Sequence, residues 1–365
     1  QVEHPVTEKI TSTNLVEWQL HIANGLTLPK SQNEIYLNGW SLEARLYAED
    51  INKNFLPQSG CLHHLKFPKI SDHPNCIIDT GNKKGDFISP YYDPMIAKII
   101  SHGKNRKEAI NHLRNCLFDI EVAGITTNLN LLKKLLKNNH FREGDIYTKF
   151  VENNIEQFMD KDIEPQLKAL ASLIIFNNLT PSQQNYWYNW KPTTYPIDIT
   201  IGKKVTSFFI TKTSNKNFEV AFNNQDFYFS SVSFHDSTLK AKTKNKNFEV
   251  KFCVFKDKST ANKNFTIFSD ENTFDAVLKN SLTQDSVEQS KFEDSIFAPM
   301  HGIIKINNLK IKNRVKKGDI LLKLEAMKME YSLIAPRDGI IKEIFCKNGE
   351  QVTENSKLLN LEKIK

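Results

Sequence analysis

A chain of 365 residues with 39% hydrophobic and 25% charged residues has the composition of an ordinary globular protein, long enough for two or three domains. No apolar run approaches the roughly 18 residues that a membrane-spanning helix needs, so a helical membrane anchor is not expected. The net charge of +7 raises nucleic acid as a partner, but the lysines are dispersed, as in the Asn-Lys-Asn-Phe phrases at 52–55, 215–218, 245–248 and 262–265, and no basic run accompanies them. From the start of the chain, Gln1 to Glu8 reads as a strand end broken by Pro5. Asn14 with Glu17 three residues on predicts a helix start, Leu15, Trp18 and Ile22 with Val16 and Leu20 give it an apolar stripe, and Asn24-Gly25 stops it. Trp40 to Ala48 alternates as a strand with Glu43 and Arg45 on one face.

A further β segment follows at 60–67, and Tyr91 to Ile100 reads as a loop entering a buried strand. Helices are predicted over 105–118 and 128–136, with a shorter one at 148–158. A boundary falls at 159–165, where charges cluster, and 166–177 is a compact apolar helix. An aromatic loop at 186–190 precedes six short strands between 197 and 268, the spacing of an antiparallel barrel or sandwich. Residues 273–293 read mostly as linker. The five cysteines, Cys61, Cys76, Cys116, Cys253 and Cys346, are odd in number and never spaced C-x-x-C. That pattern suits a reducing compartment and argues against a disulfide framework or a zinc site.

The C-terminal stretch repeats itself. Ala298-Pro299-Met300-His301-Gly302-Ile303-Ile304-Lys305 matches Ala335-Pro336-Arg337-Asp338-Gly339-Ile340-Ile341-Lys342 at an offset of 37 residues, which also pairs Val315 with Val352 and Leu324-Glu325 with Leu361-Glu362. Two copies of one β unit packed together are expected. Glu325-Ala326-Met327-Lys328-Met329-Glu330 joins the copies, where such a fold places an exposed hairpin. Taken alone, Lys328 would pass for one surface lysine among many. Its place at the symmetry point, between two of only five methionines, sets it apart.

This segment resembles the biotinyl carrier domain of biotin-dependent carboxylases, whose attachment motif Ala-Met-Lys-Met stands here at Ala326 to Met329. The resemblance implies biotin covalently held on Lys328, placed there by a biotin protein ligase, with Met327 and Met329 in support. A lipoyl carrier shares the repeat but usually surrounds its lysine with acidic and small residues. The opening Gln1-Val2-Glu3-His4-Pro5-Val6-Thr7-Glu8 resembles the C-terminal part of the biotin carboxylase domain. So do Ser41 to Asp50, Tyr92 to Lys98 and Gly124 to Asn128, in the same order. About the first 150 residues and the last 70 are covered.

The chemistry gives these residue types a reason. A carboxylate beside bicarbonate can act as general base, and a fixed guanidinium can stabilise charge developing on the ureido oxygen of biotin. By resemblance the base is Glu3, with Gln1 and Val2 helping to hold bicarbonate, and the guanidinium is that of Arg45. Asp93 either orients Arg45 or is a structural aspartate of the turn before Pro94, and His4 supports the loop. In the family, the glycine-rich loop over ATP and the carboxylates that hold Mg lie N-terminal to this motif. No such loop or metal site occurs in this sequence. Because the chain starts at Gln1 without a targeting segment, a fragment of a longer polypeptide is expected, lacking the N-terminal ATP-grasp region and inactive alone.

The resemblance implies an α+β multidomain protein. Residues 1–158 would be the C-terminal part of the biotin carboxylase domain. Residues 159–290 would be a helix-plus-antiparallel-barrel domain that docks the carboxyltransferase, and 295–365 a flattened β-barrel carrier. A single chain with all three parts argues against the separate-subunit acetyl-CoA type, whose carboxylase subunits end near residue 155. Asn14 to Leu20 and Ala326 to Glu330 look most like the α subunits of methylcrotonyl-CoA carboxylases of leucine degradation, with propionyl-CoA carboxylases as the alternative. The implied partner is a carboxyltransferase β subunit, which binds the acyl-CoA, in a hetero-oligomer without nucleic acid or membrane. The compartment expected is the bacterial cytoplasm, or alternatively the mitochondrial matrix. A carrier and docking module without catalysis is the competing reading of this chain alone.

Overall fold

Trp40–Tyr47 pairs antiparallel with Met95–Gly103, which pairs in turn with Cys76–Asp79, and this three-stranded sheet carries the first candidate site. The computed structural model describes residues 3–159, 162–179, 193–202, 204–214, 216–256, 263–269, 272–278, 295–306, 309–326, 329–353 and 356–362. Helix Arg106–Phe118 packs on the sheet through Ala109, Ile110, Leu113, Cys116 and Leu117. Their spacing of three and four residues makes one apolar stripe, which meets Ala44, Leu46, Ala97 and Ile99. Asn105 caps this helix by accepting the Glu108 N–H at 2.9 Å. Leu129–Lys137 follows as the next long helix, and the segment expected at 148–158 is two short turns, Phe150–Asn153 and Ile155–Phe158.

The start of the chain differs from the expectation. Residues His4–Thr11 form a helix, not a strand end, and Pro5 lies in its first turn. Proline there has no N–H to leave unsatisfied, and its fixed φ suits helix entry. Helix Leu15–Ala23 starts as its sequence predicts, with the Asn14 side chain accepting from Glu17 N at 3.0 Å. Its apolar stripe, however, is not packed: Val16, Leu20 and Ile22 are exposed, and none of its residues is buried.

From Thr194 to Leu278 eight antiparallel strands close into a barrel. Helix Pro165–Leu179 shares one core with it, and every residue of that helix from Ala169 to Phe176 is buried. A helix apolar on all sides must be enclosed, and the barrel encloses it. Phe208, Phe229 and Phe265 are fully buried in this core, each contributing about 1.5–3 kcal/mol. Two strands join the six expected. In Thr238–Lys242, Leu239 and Ala241 face inward between exposed lysines. Thr273–Leu278 corrects the linker reading of that stretch, because it pairs with both Lys263–Phe268 and Thr194–Ile201 and closes the barrel. The aromatic loop at 186–190 and residues 279–293 lie outside the described residues.

The C-terminal repeat folds as two four-stranded sheets around one core. Its symmetry extends to the register. Gly302 pairs with Val352 and Gly339 with Val315, the same contact moved by the 37-residue offset. Lys312 N donates to Ile341 O, and Gly349 N donates to Ile304 O, again one contact made twice. Each copy therefore completes the sheet of the other, as a unit too small to bury its own face must.

Candidate active site and carrier hairpin

Arg45 stands on the central part of Trp40–Tyr47, directly opposite Lys98. Period two puts Glu43 on the same face, and the Arg45 Nε donates to Glu43 Oε1 at 2.8 Å. Glu43 is nearly enclosed, with its side chain 6% exposed, and its second oxygen, Oε2, is buried without a hydrogen-bond partner among the described residues. Arg45 Nη2 lies 3.5 Å from Glu3 Oε2, a long contact across 42 positions of sequence. The bond to Glu43 raises the guanidinium's pKa further above its ordinary value. Burial raises the Tyr47 phenol, and the charge of Asp93 adds to the effect.

Glu3 is the N-cap residue of His4–Thr11, but its side chain makes no cap hydrogen bond and is 60% exposed. His4 is the first residue of that helix. Asp93 does not meet Arg45: its Oδ1 accepts the Met95 N–H at 3.0 Å and fixes the turn around Pro94. The side chain that orients the guanidinium is Glu43, which the sequence places on the right face without marking it as a site residue. Gln1 and Val2 lie outside the described residues. The same face carries Lys98, whose Nζ is 3.4 Å from Asp79 Oδ2. A guanidinium has five N–H donors, and the clamp at Nε fixes its plane while leaving others to bind an oxyanion.

The carrier hairpin is built by Ile320–Ala326 and Met329–Ile334, with Ala326 paired to Met329. That pairing leaves positions 327 and 328 as the two-residue connection. Met327 and Lys328 themselves, and the side chain of Met329, lie outside what is described. Below the connection Glu325 is directly opposite Glu330, a like-charge pair that costs stability unless neutralised. Lys305 neutralises it, 2.8 Å from Glu325 and 2.9 Å from Glu330, and Lys323 meets Glu330 at 3.0 Å. The bond to Lys305, and then that to Lys323, holds the Glu330 carboxyl below its usual range. The neck of the hairpin, Glu325 and Glu330, is thus braced by charge.

Two families match parts of the chain: the biotin carboxylase C-terminal domain over residues 43–153, and the biotin-requiring enzymes over 302–361. The class is therefore plain: the chain joins a biotin carboxylase C-terminal domain to a biotin-lipoyl carrier domain, with the closed barrel between them.

Among curated proteins it is similar to the methylcrotonoyl-CoA carboxylase subunit alpha, mitochondrial. The mouse protein is 32% identical over 348 residues, covering 90% of this chain and 47% of that protein. The Arabidopsis thaliana protein is 43% identical over 171 residues, 47% of this chain and 23% of that protein. The mitochondrial propionyl-CoA carboxylase alpha chain of Caenorhabditis elegans is 39% identical over 190 residues, 50% of this chain and 26% of that protein. The chain spans about half the length of the mouse protein and less of the other two. Among solved structures, the biotin carboxylase domain of Hydrogenobacter thermophilus 2-oxoglutarate carboxylase, in complex with MgADP, ADP and bicarbonate, matches at TM-score 0.42 and 36% identity, over 44% of this chain and 35% of that one.

Proposed function

We propose that this chain is the biotin-bearing part of an acyl-CoA carboxylase α subunit, with Lys328 as the attachment residue and 3-methylcrotonyl-CoA as the final acceptor. The observation that carries the reading is the pairing of Ala326 with Met329, which puts the connection between the two repeats at the Ala-Met-Lys-Met phrase. Attached biotin supplies a ureido nitrogen nucleophile on a long tether. Glu3 acts as general base toward bicarbonate, and Gln1 and Val2 help hold that anion. Arg45, held by Glu43, stabilises negative charge on the ureido oxygen.

Activation of bicarbonate takes ATP and Mg, for which the sequence offers no glycine-rich phosphate loop, so the 365-residue chain alone is expected to show no ATP-dependent carboxylation. Three functional parts follow: 1–158 for carboxylation, 159–290 for docking a carboxyltransferase β subunit in a hetero-oligomer, and 295–365 as carrier. The methylcrotonoyl-CoA enzymes are favoured by the mouse alignment, which runs through 90% of this chain. The propionyl-CoA reading rests on a shorter match. The relatives' names carry the word mitochondrial, which supports a mitochondrial location over the bacterial cytoplasm. Among the described residues no helix is long and apolar enough to cross a membrane.

The test is labelling with a biotin protein ligase and ATP. The chain is expected to gain one biotin by intact mass and to bind streptavidin, and Lys328→Arg is expected to abolish both. Labelling that survives Lys328→Arg overturns the assignment. Acyl-CoA selectivity of the complex with its β subunit decides between the two acceptors.

A further inference from the structure

A loop of the carboxylase domain reaches into the carrier. After the single turn Ile51–Lys53, Asn54 and Phe55 are consecutive residues with φ of 55° and 58°. Bulky side chains rarely adopt that region, so the reversal is held by its surroundings. Phe55 packs against Ile51, Leu131, Phe150 and Phe158 of its own domain. Leu56, paired with Asp50, is turned the other way and is 2% exposed. Its side chain belongs to the carrier core, and no other buried residue of 3–159 does. The seam it fills is lined by Met300, Leu324, Ala326, Glu330 and Tyr331, and retains a cavity of about 20 Å³, room for roughly one water. A second contact joins the same two bodies, where the Gln351 side chain donates to the Tyr91 hydroxyl.

We propose that Leu56 is a docking plug that seats the carrier domain on the carboxylase domain, at the foot of the hairpin that ends in Ala326 and Met329. The functional meaning rests on Lys328 being the attachment residue; the contact itself does not. One buried leucine and one hydrogen bond favour the seated carrier by a factor of about 30–2,000 before the cost of ordering the two bodies is subtracted, enough to hold it and small enough to let it leave. The positive-φ pair at Asn54 and Phe55 points the plug outward while Phe55 stays anchored. Leu56 is a positioning residue: it touches neither biotin nor bicarbonate, and sets how often the tether is presented to this domain.

Hydroxyl-radical footprinting of the full chain tests this without biotin. Leu56→Asp is expected to raise oxidation of the buried Met300 about tenfold and that of the partly exposed Tyr331 by about two- to threefold, whereas Leu56→Met keeps both near the wild-type level. Ile341 and Leu358, fully buried in the carrier core and outside the seam lining, report on unfolding and are expected to stay unmodified. If the aspartate variant exposes these as well, Leu56→Ala, which removes the plug without adding charge, decides on the same readout. Oxidation of Met300 and Tyr331 at the wild-type rate in the folded variants overturns the proposal. Loss of ligase labelling at Lys328 with the footprint as expected would leave the plug standing and remove only its biotin role.

Discussion

Arg45 and Glu43 differ in what each leaves behind when the other is removed. Glu43 has 6% of its side chain exposed, whereas Arg45 has 37%. Arg45→Ala strands an enclosed carboxylate and is expected to cost about 2–4 kcal/mol. Glu43→Ala leaves a guanidinium that water can reach, and its expected cost is about 1 kcal/mol. Amide exchange of strand Trp40–Tyr47 in the two variants measures the difference. Equal losses would mean that Glu43 is hydrated and does not brace the guanidinium. At this scale the sequence was partly legible. Period two put Glu43 and Arg45 on one face, but nothing in the spacing told that Glu43 is the enclosed partner. Burial depends on what the tertiary fold brings against that face, which a local pattern does not contain. For Asp93 the spacing left two readings open, since a carboxylate before proline serves a turn as readily as a guanidinium, and the hydrogen bond from Met95 N selects the turn.

Among the elements, the carrier repeat was the most legible, because its glycines mark the close approaches. A Cβ on Gly302 would lie 2.7 Å from Glu325 O, and one on Gly339 would lie 2.9 Å from Glu362 O, the same contact in each copy. Gly302→Ala and Gly339→Ala are therefore expected to destabilise the carrier by similar amounts, about 1–3 kcal/mol each, because backbone must shift in both. Gly318, with φ of 94° and nothing within 4 Å of the position a Cβ would take, separates strain from collision: Gly318→Ala is expected to cost about 1 kcal/mol. Thermal unfolding of the three variants, followed at the carrier by amide exchange, checks the order. A Gly339→Ala as mild as Gly318→Ala would show that only one copy is tightly packed. The elements missed were those whose pattern carries a second meaning. Thr238–Lys242 offers only Leu239 and Ala241 as inward residues between lysines, too short a pattern to stand out, and Thr273–Leu278 is short enough to pass for linker until both neighbours pair with it. Pro5 reads as a breaker until the first turn of a helix is allowed to hold it.

Across the whole molecule, the carboxylase domain meets the barrel through hydrogen bonds and charges. Asn130 exchanges two 3.1 Å hydrogen bonds with the Thr273 backbone. Lys251 of the barrel reaches Asp119 at 3.4 Å and Glu121 at 3.5 Å, and His73 pairs with Asp119 at 3.0 Å. At the centre, His64 is 2.8 Å from Glu121 and lies tilted against Phe268, with ring centroids 5.8 Å apart. Its hydrogen bond to Cys253, followed by that to Glu121, raises its pKa to about 9. Burial pushes the Glu121 carboxyl up, but the bond to His64 and the charges of Lys66 and Lys251 outweigh it and leave the carboxyl below its usual range. Because the folded-state pKa of His64 is raised, its contribution is complete below its ordinary value of 6.5 and fades as pH rises through about 9. His64 is largely enclosed, with 19% of its side chain exposed, and the stability at stake is about 1–3 kcal/mol. Wild-type protein is therefore expected to lose urea resistance between pH 6.5 and 9, while His64→Gln, less stable at pH 6.5, shows a flatter profile that meets the wild type near pH 9 to 10. Parallel profiles for the two proteins would mean that the charge joining these domains resides in Lys251 and its carboxylates, with His64 contributing only its packing against Phe268.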